Sequence, residues 1–187
     1  MRKILTALTG VAVGLALATA GGLAMSARAA DSPIRGNAED RAEIENLMAY
    51  YLFAMDWHDA DAYASVFTED GVLTWAGGDV KGRTAIRKFV NDQVAPPQQG
   101  TARMPPKSRH FVTNTYLVIK GNKAVSRAYW EQLDANNAEA HAQVGAYGHY
   151  EDELVKTNGH WLFTHRAIFN EQVARRKAGD VNPAKGL

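Results

Sequence analysis

The spacing of apolar residues changes once along this sequence, and that change restricts the fold more than any other feature. Up to about residue 94, apolar residues recur every three or four positions, as on one face of an α-helix. From His110 onward they alternate with polar residues, as in strands with one buried face. Helices followed by a run of antiparallel strands indicate an α+β domain whose sheet packs on the helices.

The first part of this pattern predicts three helices. The first helix, of about 18–20 residues, has acids in its first turns, where the helix dipole favours negative charge. Its apolar stripe consists of Ile44, Leu47, Met48, Tyr51, Leu52 and Met55. A short second helix begins at Asp59 or Asp61, both suitable N-cap residues, and ends at a turn over residues 69–71. The third helix follows Gly82 and covers residues 83–94.

The sequence also predicts one short strand, residues 72–75, before the third helix and four longer strands after it. The longer strands are residues 110–119, 124–133, 141–155 and 161–173. Gly and Asn pairs typical of hairpin turns separate them. Residues 95–108 contain four of the six prolines and are predicted to be a loop long enough to act as a flap.

The first 29 residues have the features of an export signal. Two basic residues precede an uncharged stretch, residues 4–25, and Ala-Arg-Ala at 27–29 resembles a signal peptidase site. Cleavage there leaves a leader, residues 30–37, a domain over residues 38–173 and a polar, frayed tail over residues 174–187. We therefore expect a periplasmic or secreted protein that does not contact the membrane once mature. An uncleaved membrane anchor is the alternative, because the stretch is long enough to span a bilayer.

Removal of the signal changes the charge balance of the chain. Three of its 21 Lys and Arg residues and none of its 20 acids lie in that segment, so 18 basic residues face 20 acids in the mature chain. No stripe of basic residues with interleaved aromatics remains, and we expect no nucleic acid partner. The absence of cysteine excludes disulfides, thiolate zinc sites and a cysteine nucleophile.

Metal and cofactor motifs are also missing from the sequence. His141 and His149 share strand parity, but no histidine pair has the spacing of a strong metal site. Gly77, Gly78 and Gly82 follow a strand without the spacing of a phosphate loop or a dinucleotide fingerprint. We therefore predict neither a metal nor a cofactor.

Five segments of the chain together form a recognisable pattern. They are residues 51–59 (Tyr-Leu-Phe-Ala-Met-Asp-Trp-His-Asp), 66–71 (Val-Phe-Thr-Glu-Asp-Gly), 109–114 (Arg-His-Phe-Val-Thr-Asn), 148–152 (Gly-His-Tyr-Glu-Asp) and Trp161 before Arg166. In order and spacing they resemble the SnoaL-like branch of the nuclear transport factor 2-like superfamily, over residues 38–172. The resemblance implies a cone-shaped fold, in which a curved antiparallel or mixed sheet wraps around the long first helix and leaves a pocket at its wide end.

The resemblance also implies a catalytic pair. The scytalone dehydratases of this superfamily have an Asp near the end of the first helix and a His at the start of the strand after the third helix. These positions correspond here to Asp56 and His110. The second catalytic His of the dehydratases has no counterpart in residues 126–133, so the same dehydration is not implied.

The residues themselves support a role for Asp56 and His110. Asp56 lies four residues after Leu52, at the edge of the apolar stripe, where a carboxylate needs a partner. A helix cap or an ion pair with an Arg would provide one, and so would His110. An Asp fixes the tautomer of a His, whose other nitrogen can then act as general acid or base. A histidine satisfied within the core is the alternative for His110.

Other aromatic and polar residues are candidates for contacts with a ligand. Tyr51 is predicted to donate its hydroxyl to a developing oxyanion, with Tyr50 as the competing candidate and a core tyrosine as the alternative. The predicted ligand-binding residues are Trp75, Asn114, Trp130 and Tyr150. Asn114 is included because strand alternation places it on the face of His110. The same alternation places Arg109 on the opposite face, and Asp152 is predicted to pair with Arg166.

These observations favour an exported, cofactor-independent lyase or isomerase that uses Asp56 and His110 for proton transfer on a small hydrophobic or aromatic substrate. The alternative is a protein of the same fold that only binds a ligand or only dimerises. We expect a homodimer, because apolar residues are predicted on the outer faces of the last strands. Those residues are Leu133, Leu154, Leu162 and Ile168.

Overall fold

The computed structural model describes residues 38–94, 108–135, 138–139, 141–173, 177 and 179–187. The predicted export signal and leader lie outside the described residues, and so does nearly all of the proline-rich loop. Among the residues that are described, no helix has both the length and the apolar character needed to cross a membrane.

The described chain forms three α-helices and one six-stranded mixed sheet, as the α+β prediction requires. The helices are α1 (Ala38–Asp56), α2 (Ala60–Ser65) and α3 (Arg83–Phe89), and a π-helical turn (Val90–Val94) extends α3. The strands are β1 (Phe67–Trp75), β2 (Gly78–Lys81), β3 (Ser108–Lys120), β4 (Lys123–Asp134), β5 (Gln143–Thr157) and β6 (His160–Asn170). Their order in the sheet is β2-β1-β6-β5-β4-β3, and β1 and β6 are the parallel pair.

One face of the sheet, called here the inner face, packs on α1. The buried residues of α1 include Ile44, Met48 and Leu52, which recur at helical spacing and belong to one core cluster with the inner face. Of the two predicted N-caps of α2, the structure has Asp59, whose side chain accepts a hydrogen bond from the backbone N of Ala62 at 2.9 Å.

The first strand differs from its prediction. Residues 69–71 do not form a turn but lie inside β1, where the register against β6 shifts between Phe67 and Val72. At this irregularity a Cβ on Gly71 would lie 3.0–3.1 Å from Phe67 and from the backbone oxygen of Phe163. A glycine allows that close approach, so the Asp-Gly pair marks a bulge rather than the end of a strand. The sequence did not indicate β2.

The first turn of α1 is held on the hairpin between β5 and β6. Lys156 Nζ lies 2.6 Å from Asp40 Oδ1, and the indole nitrogen of Trp161 donates to the same oxygen at 2.9 Å. The hydrogen bond from Lys156, with that from Trp161, lowers the pKa of Asp40 below its usual value. These contacts fix α1 along the inner face.

The predicted pair of Asp152 and Arg166 is confirmed and is fully buried. Arg166 Nε and Nη2 each donate a hydrogen bond of 2.8 Å to Asp152, and the guanidinium lies 4.1–4.2 Å from the ring centres of Tyr51, Tyr150 and Phe163. Burial alone would lower the pKa of Arg166. The charge and hydrogen bonds of Asp152 outweigh burial and raise this pKa above its usual value, so the guanidinium stays charged. A charged pair therefore lies inside an aromatic core.

The opposite face of the sheet, called here the outer face, exposes large apolar side chains. They are Phe111, Tyr116, Tyr129, Val144, Tyr147 and Phe169, each 43–56% exposed. The predicted placement of Leu154 and Ile168 on this face is wrong, because each lies opposite a buried inner-face residue, Phe163 and Tyr150 respectively. Part of the predicted frayed tail packs on this face, since Arg127 Nε donates to the backbone oxygen of Pro183 at 3.1 Å.

Candidate active site

The structure brings Asp56 and His110 together. Asp56 is the last residue of α1, and His110 is the third residue of β3. Asp56 Oδ1 lies 2.5 Å from His110 Nδ1, and Asp56 Oδ2 accepts a hydrogen bond of 2.9 Å from the backbone N of His110. Both carboxylate oxygens are therefore engaged by one residue.

This contact determines how the imidazole is oriented. An ionised carboxylate can only accept hydrogen bonds, so His110 Nδ1 carries the proton and Nε2 has the free lone pair in the neutral ring. The Asp56 side chain is 6% exposed and that of His110 is 15% exposed. The pair is therefore mostly shielded from water while part of the imidazole stays accessible.

The local sequence explains the placement of both groups. Asp56 lies on the stripe of α1 that also carries Met48 and Leu52, so its carboxylate points to the core side of the helix end. Arg109 faces the other way, as predicted, and its guanidinium lies 5.7 Å from the ring centre of Trp57. The alternation of β3 therefore separates the imidazole from the neighbouring guanidinium.

On the inner face, His110 has two neighbours on β4. Gln132 lies directly opposite His110 in the ladder, and the Trp130 ring centre is 6.5 Å from the imidazole centre. Trp130 is 6% exposed, and its indole lies close to Gly148 of β5. A Cβ on Gly148 would lie 1.8 Å from the backbone oxygen of Phe169 and 3.0 Å from the indole, so only glycine fits there. Sequence reasoning missed Gln132.

Half-buried apolar side chains lie beside His110 on the inner face. They are Val112 and Ala146, which pack against the core cluster without being fully covered. The strand register places Val112 and Ala146 next to Trp130 and Gln132 on the face that carries His110. Accessible apolar surface therefore adjoins the imidazole.

Two of the predicted ligand-binding aromatics lie on this face, and a third lies farther along the sheet. Tyr150 is 2% exposed and stacks on Trp130, with the ring centres 6.0 Å apart. Trp75 is 37% exposed and packs on Phe89, but three strands separate β1 from β3. The structure groups Trp130 and Tyr150 with His110 more closely than Trp75.

Tyr51, the predicted oxyanion donor, lies inside the core and not at an accessible surface. Its hydroxyl is 2.5 Å from that of Tyr63, and its side chain is fully buried. Burial raises the pKa of Tyr51 although the nearby Arg166 opposes this, so the phenol stays neutral. Donation to a substrate would require the pair with Tyr63 to open. The competing candidate, Tyr50, is 51% exposed.

The predicted placement of Asn114 on the face of His110 is wrong. The β3–β4 register shifts between Thr113 and Tyr116, and Asn114 has a φ of 52°. This bulge inserts one extra residue, so the alternation reverses and Tyr116 also turns to the outer face. Asn114 is exposed and lines an outer-face recess of about 80 Å³ together with Pro183.

Among the residues that the structure describes, no group of three or more His, Asp or Glu side chains is arranged to hold a metal ion.

Comparison with known proteins gives the family. The sequence matches the SnoaL-like domain family over residues 36–167. No curated protein matches it significantly.

Three solved structures illustrate the shared architecture. The function-unknown protein Rv3472 of Mycobacterium tuberculosis has 25% identity over 72% of this chain and 77% of its own, with a TM-score of 0.61. A protein of unknown function with a cystatin-like fold from Nostoc punctiforme has 22% identity over 72% and 92%, with a TM-score of 0.62. An NTF2-like protein with a cystatin-like fold from Novosphingobium aromaticivorans has 22% identity over 81% and 90%, with a TM-score of 0.58. By its family match and its architecture, the chain belongs to the SnoaL-like domain family and has the NTF2-like, cystatin-like fold.

Proposed function

We propose that this protein is a cofactor-independent lyase or isomerase in which His110 moves a proton on a small hydrophobic substrate. The observation that carries the proposal is the double contact of Asp56 with the ring and the backbone of His110. The carboxylate cannot turn away without losing one of these bonds, so the ring is held with Nε2 free. Such a histidine is ready to act as general base and then as general acid.

The charge of Asp56 also matters after proton transfer. When Nε2 takes a proton the imidazole becomes a cation, and the adjacent carboxylate stabilises that cation without itself taking the proton. The surrounding apolar side chains strengthen this attraction because they exclude water. The site therefore favours removal of a proton from carbon, a step that leaves charge on both catalyst and substrate.

The apolar character of the neighbourhood indicates the substrate. Val112, Ala146 and Trp130 provide an aliphatic and aromatic surface beside the imidazole. Members of this fold family commonly bind small hydrophobic ligands. We infer a small planar or aromatic substrate held on this surface, in an exported protein that is periplasmic or secreted.

A chromogenic probe tests the proposed base without knowledge of the natural substrate. 5-Nitrobenzisoxazole loses its ring C–H proton to a base while its N–O bond breaks, giving a coloured phenolate. The protein should accelerate this elimination beyond free imidazole at equal concentration, and His110→Gln should lower the rate by about 100-fold or more. Asp56→Asn should also lower it, because the ring loses its orienting carboxylate.

The matched control is His160→Gln, because the His160 imidazole is 82% exposed and lies near Glu43 instead of Asp56. This variant should keep the wild-type rate. A wild-type rate no greater than that of free imidazole, or an unchanged rate in His110→Gln, would contradict the enzyme proposal. Tight binding of the probe without turnover would favour the alternative of a ligand-binding protein.

The exposed aromatic side chains of the outer face favour a homodimer as a second proposal. Tyr129 and Tyr147 lie on neighbouring central strands and border a recess of about 420 Å³. Monomers rarely expose so many large apolar side chains together. On the same face, Lys123 lies at one end of β4, and Glu131 lies toward the other end, beside Tyr147. If the β4 strands of two copies ran antiparallel, Lys123 of each copy would lie near Glu131 of the other.

Light scattering on the mature protein tests this dimer. The wild-type mass should be that of two chains, and Tyr129→Glu should give one chain because it places a charge in the apolar patch. Tyr50→Glu is the matched control, since Tyr50 is similarly exposed but lies on α1. A monomeric wild type, or a dimeric Tyr129→Glu variant, would refute the proposed interface.

A further inference from the structure

Gln132 is the polar side chain that faces His110 on the inner face. The two residues are direct partners in the β3–β4 ladder, which places their Cβ atoms about 4.5–5.5 Å apart. Gln132 is half-buried, and no hydrogen bond joins its amide to another described residue. An amide that is partly accessible and not used within the protein can donate a hydrogen bond to a ligand that reaches this face.

Two neighbours of Gln132 do not offer a competing donor. Ala146, its partner on β5, is apolar, and the indole nitrogen of Trp130 already donates to the backbone oxygen of His149 at 3.3 Å. On the strand that directly faces the imidazole, the amide of Gln132 is therefore the hydrogen-bond donor nearest to it in the ladder.

We infer that Gln132 binds the substrate oxygen beside His110 and that the substrate is an enolisable carbonyl compound. This inference rests on the proposed proton transfer and deepens it by assigning the second group of the site. In an enolisable ketone the carbonyl oxygen is two bonds from the carbon that loses its proton. Adjacent cross-strand residues can therefore engage both atoms, one as base and one as donor.

The reaction step balances with these two groups. His110 Nε2 takes the α-proton, the C–H electron pair becomes the carbon–carbon double bond of the enolate, and the carbonyl pair moves to oxygen. The hydrogen bond from the Gln132 amide strengthens as that oxygen becomes negative. Return of the proton from His110 to another carbon gives an isomer, whereas its transfer to a departing β-hydroxyl gives an alkene and water. Either outcome regenerates the neutral imidazole.

Gln132 is well suited to this role because an amide does not titrate at physiological pH. It donates to the oxygen without competing for the proton that His110 carries. A histidine or carboxylate opposite His110 would exchange protons with it or repel the enolate. The residue type therefore favours oxyanion binding over a second acid–base role.

Two probes separate oxygen binding from a merely structural role. Exchange of the α-protons of 2-tetralone in D2O, followed by proton NMR, requires a donor for the enolate oxygen. Elimination of 5-nitrobenzisoxazole requires the base but little donation, because its nitrophenolate product disperses the charge over the ring. Gln132→Leu and the similarly sized Gln132→Met should lower the exchange rate constant by about 10- to 100-fold. The elimination rate constant should fall by a clearly smaller factor in both variants, because the base is still present.

The matched control is Gln143→Leu, an exposed glutamine at the start of β5, which should leave both rates unchanged. Equal losses in both assays would show a structural role for Gln132 and overturn the inference. Wild-type exchange that persists in the Gln132 variants, or no wild-type exchange of 2-tetralone beside active elimination, would also overturn it. Loss of both activities in the wild type would instead refute the proposed function.

Discussion

Removal of the Arg166 side chain should destabilise the fold more than any exposed charge substitution. Arg166 and Asp152 are both 0% exposed and share two hydrogen bonds of 2.8 Å. Breaking such a pair leaves one uncompensated charge in the core and costs about 3–5 kcal/mol. The guanidinium also lies 4.1–4.2 Å from three aromatic ring centres, and desolvated contacts of this kind contribute about 2 kcal/mol.

These two contributions predict an unequal pair of single variants. Arg166→Met loses the counter-ion of Asp152 and the ring contacts, so we expect a loss near the top of the range, about 5 kcal/mol. Asp152→Asn leaves the guanidinium within its aromatic rings, so we expect about 3 kcal/mol. The double variant Arg166→Met/Asp152→Leu leaves no buried charge and should lie within about 2 kcal/mol of wild type.

Urea unfolding followed by tryptophan fluorescence measures these differences, with the midpoint compared at constant slope. The matched control is Arg87→Met, because Arg87 pairs with Asp61 while the two side chains are 51% and 80% exposed. This control should cost less than about 1 kcal/mol. The reasoning would be refuted if Arg166→Met cost no more than the control, or if the double variant were as unstable as Arg166→Met.

Hydrogen bonds, chiefly from Lys156, lower the pKa of Asp40, so this carboxylate stabilises the fold above the ordinary aspartate pKa of 3.8, and the contribution is lost as the pH falls through the lower pKa of the folded state. Urea midpoints of Asp40→Asn should therefore vary less with pH below about pH 4 than those of wild type, and equal slopes would contradict this. Gly148→Ala should lower the urea midpoint strongly, since the new Cβ would meet the backbone oxygen of Phe169 at 1.8 Å, and a wild-type midpoint would show that the strands adjust freely. Intact-mass analysis of the protein recovered from a bacterial periplasm should give a chain that begins at Ala30, and recovery of the full-length mass in the membrane fraction would favour the anchor instead.

The sequence was sufficient for the architecture because the change of apolar period and the family pattern agree. It also located Asp56 and His110, since helical phase places Asp56 on the core side and the family pattern selects His110. The pairing of Asp152 with Arg166 was predictable from the hairpin that joins the last two strands, but the burial of the pair was not. These features depend on local spacing, which a single sequence records directly.

The faces of β3 were not predictable in the same way. The hairpin turn pairs Lys120 with Lys123, and continuing that register without interruption would place Leu133 opposite His110. The bulge moves the pairing by one residue and brings Gln132 there instead. A non-glycine residue with positive φ, Asn114, is the local signal, because asparagine tolerates that conformation better than most residues. The prediction of a turn over residues 69–71 was wrong for a related reason, because an Asp-Gly pair is compatible with a bulge as well as with a turn.

The bulge in β3 divides this strand into two halves that pair with β4 in registers one residue apart. The half that carries His110 has a second attachment, because Asp56 binds both the backbone and the ring of His110. The imidazole is therefore fixed from two directions, by the sheet through β4 and by the carboxyl end of α1. A change that loosened one of these attachments would leave the other to hold the ring.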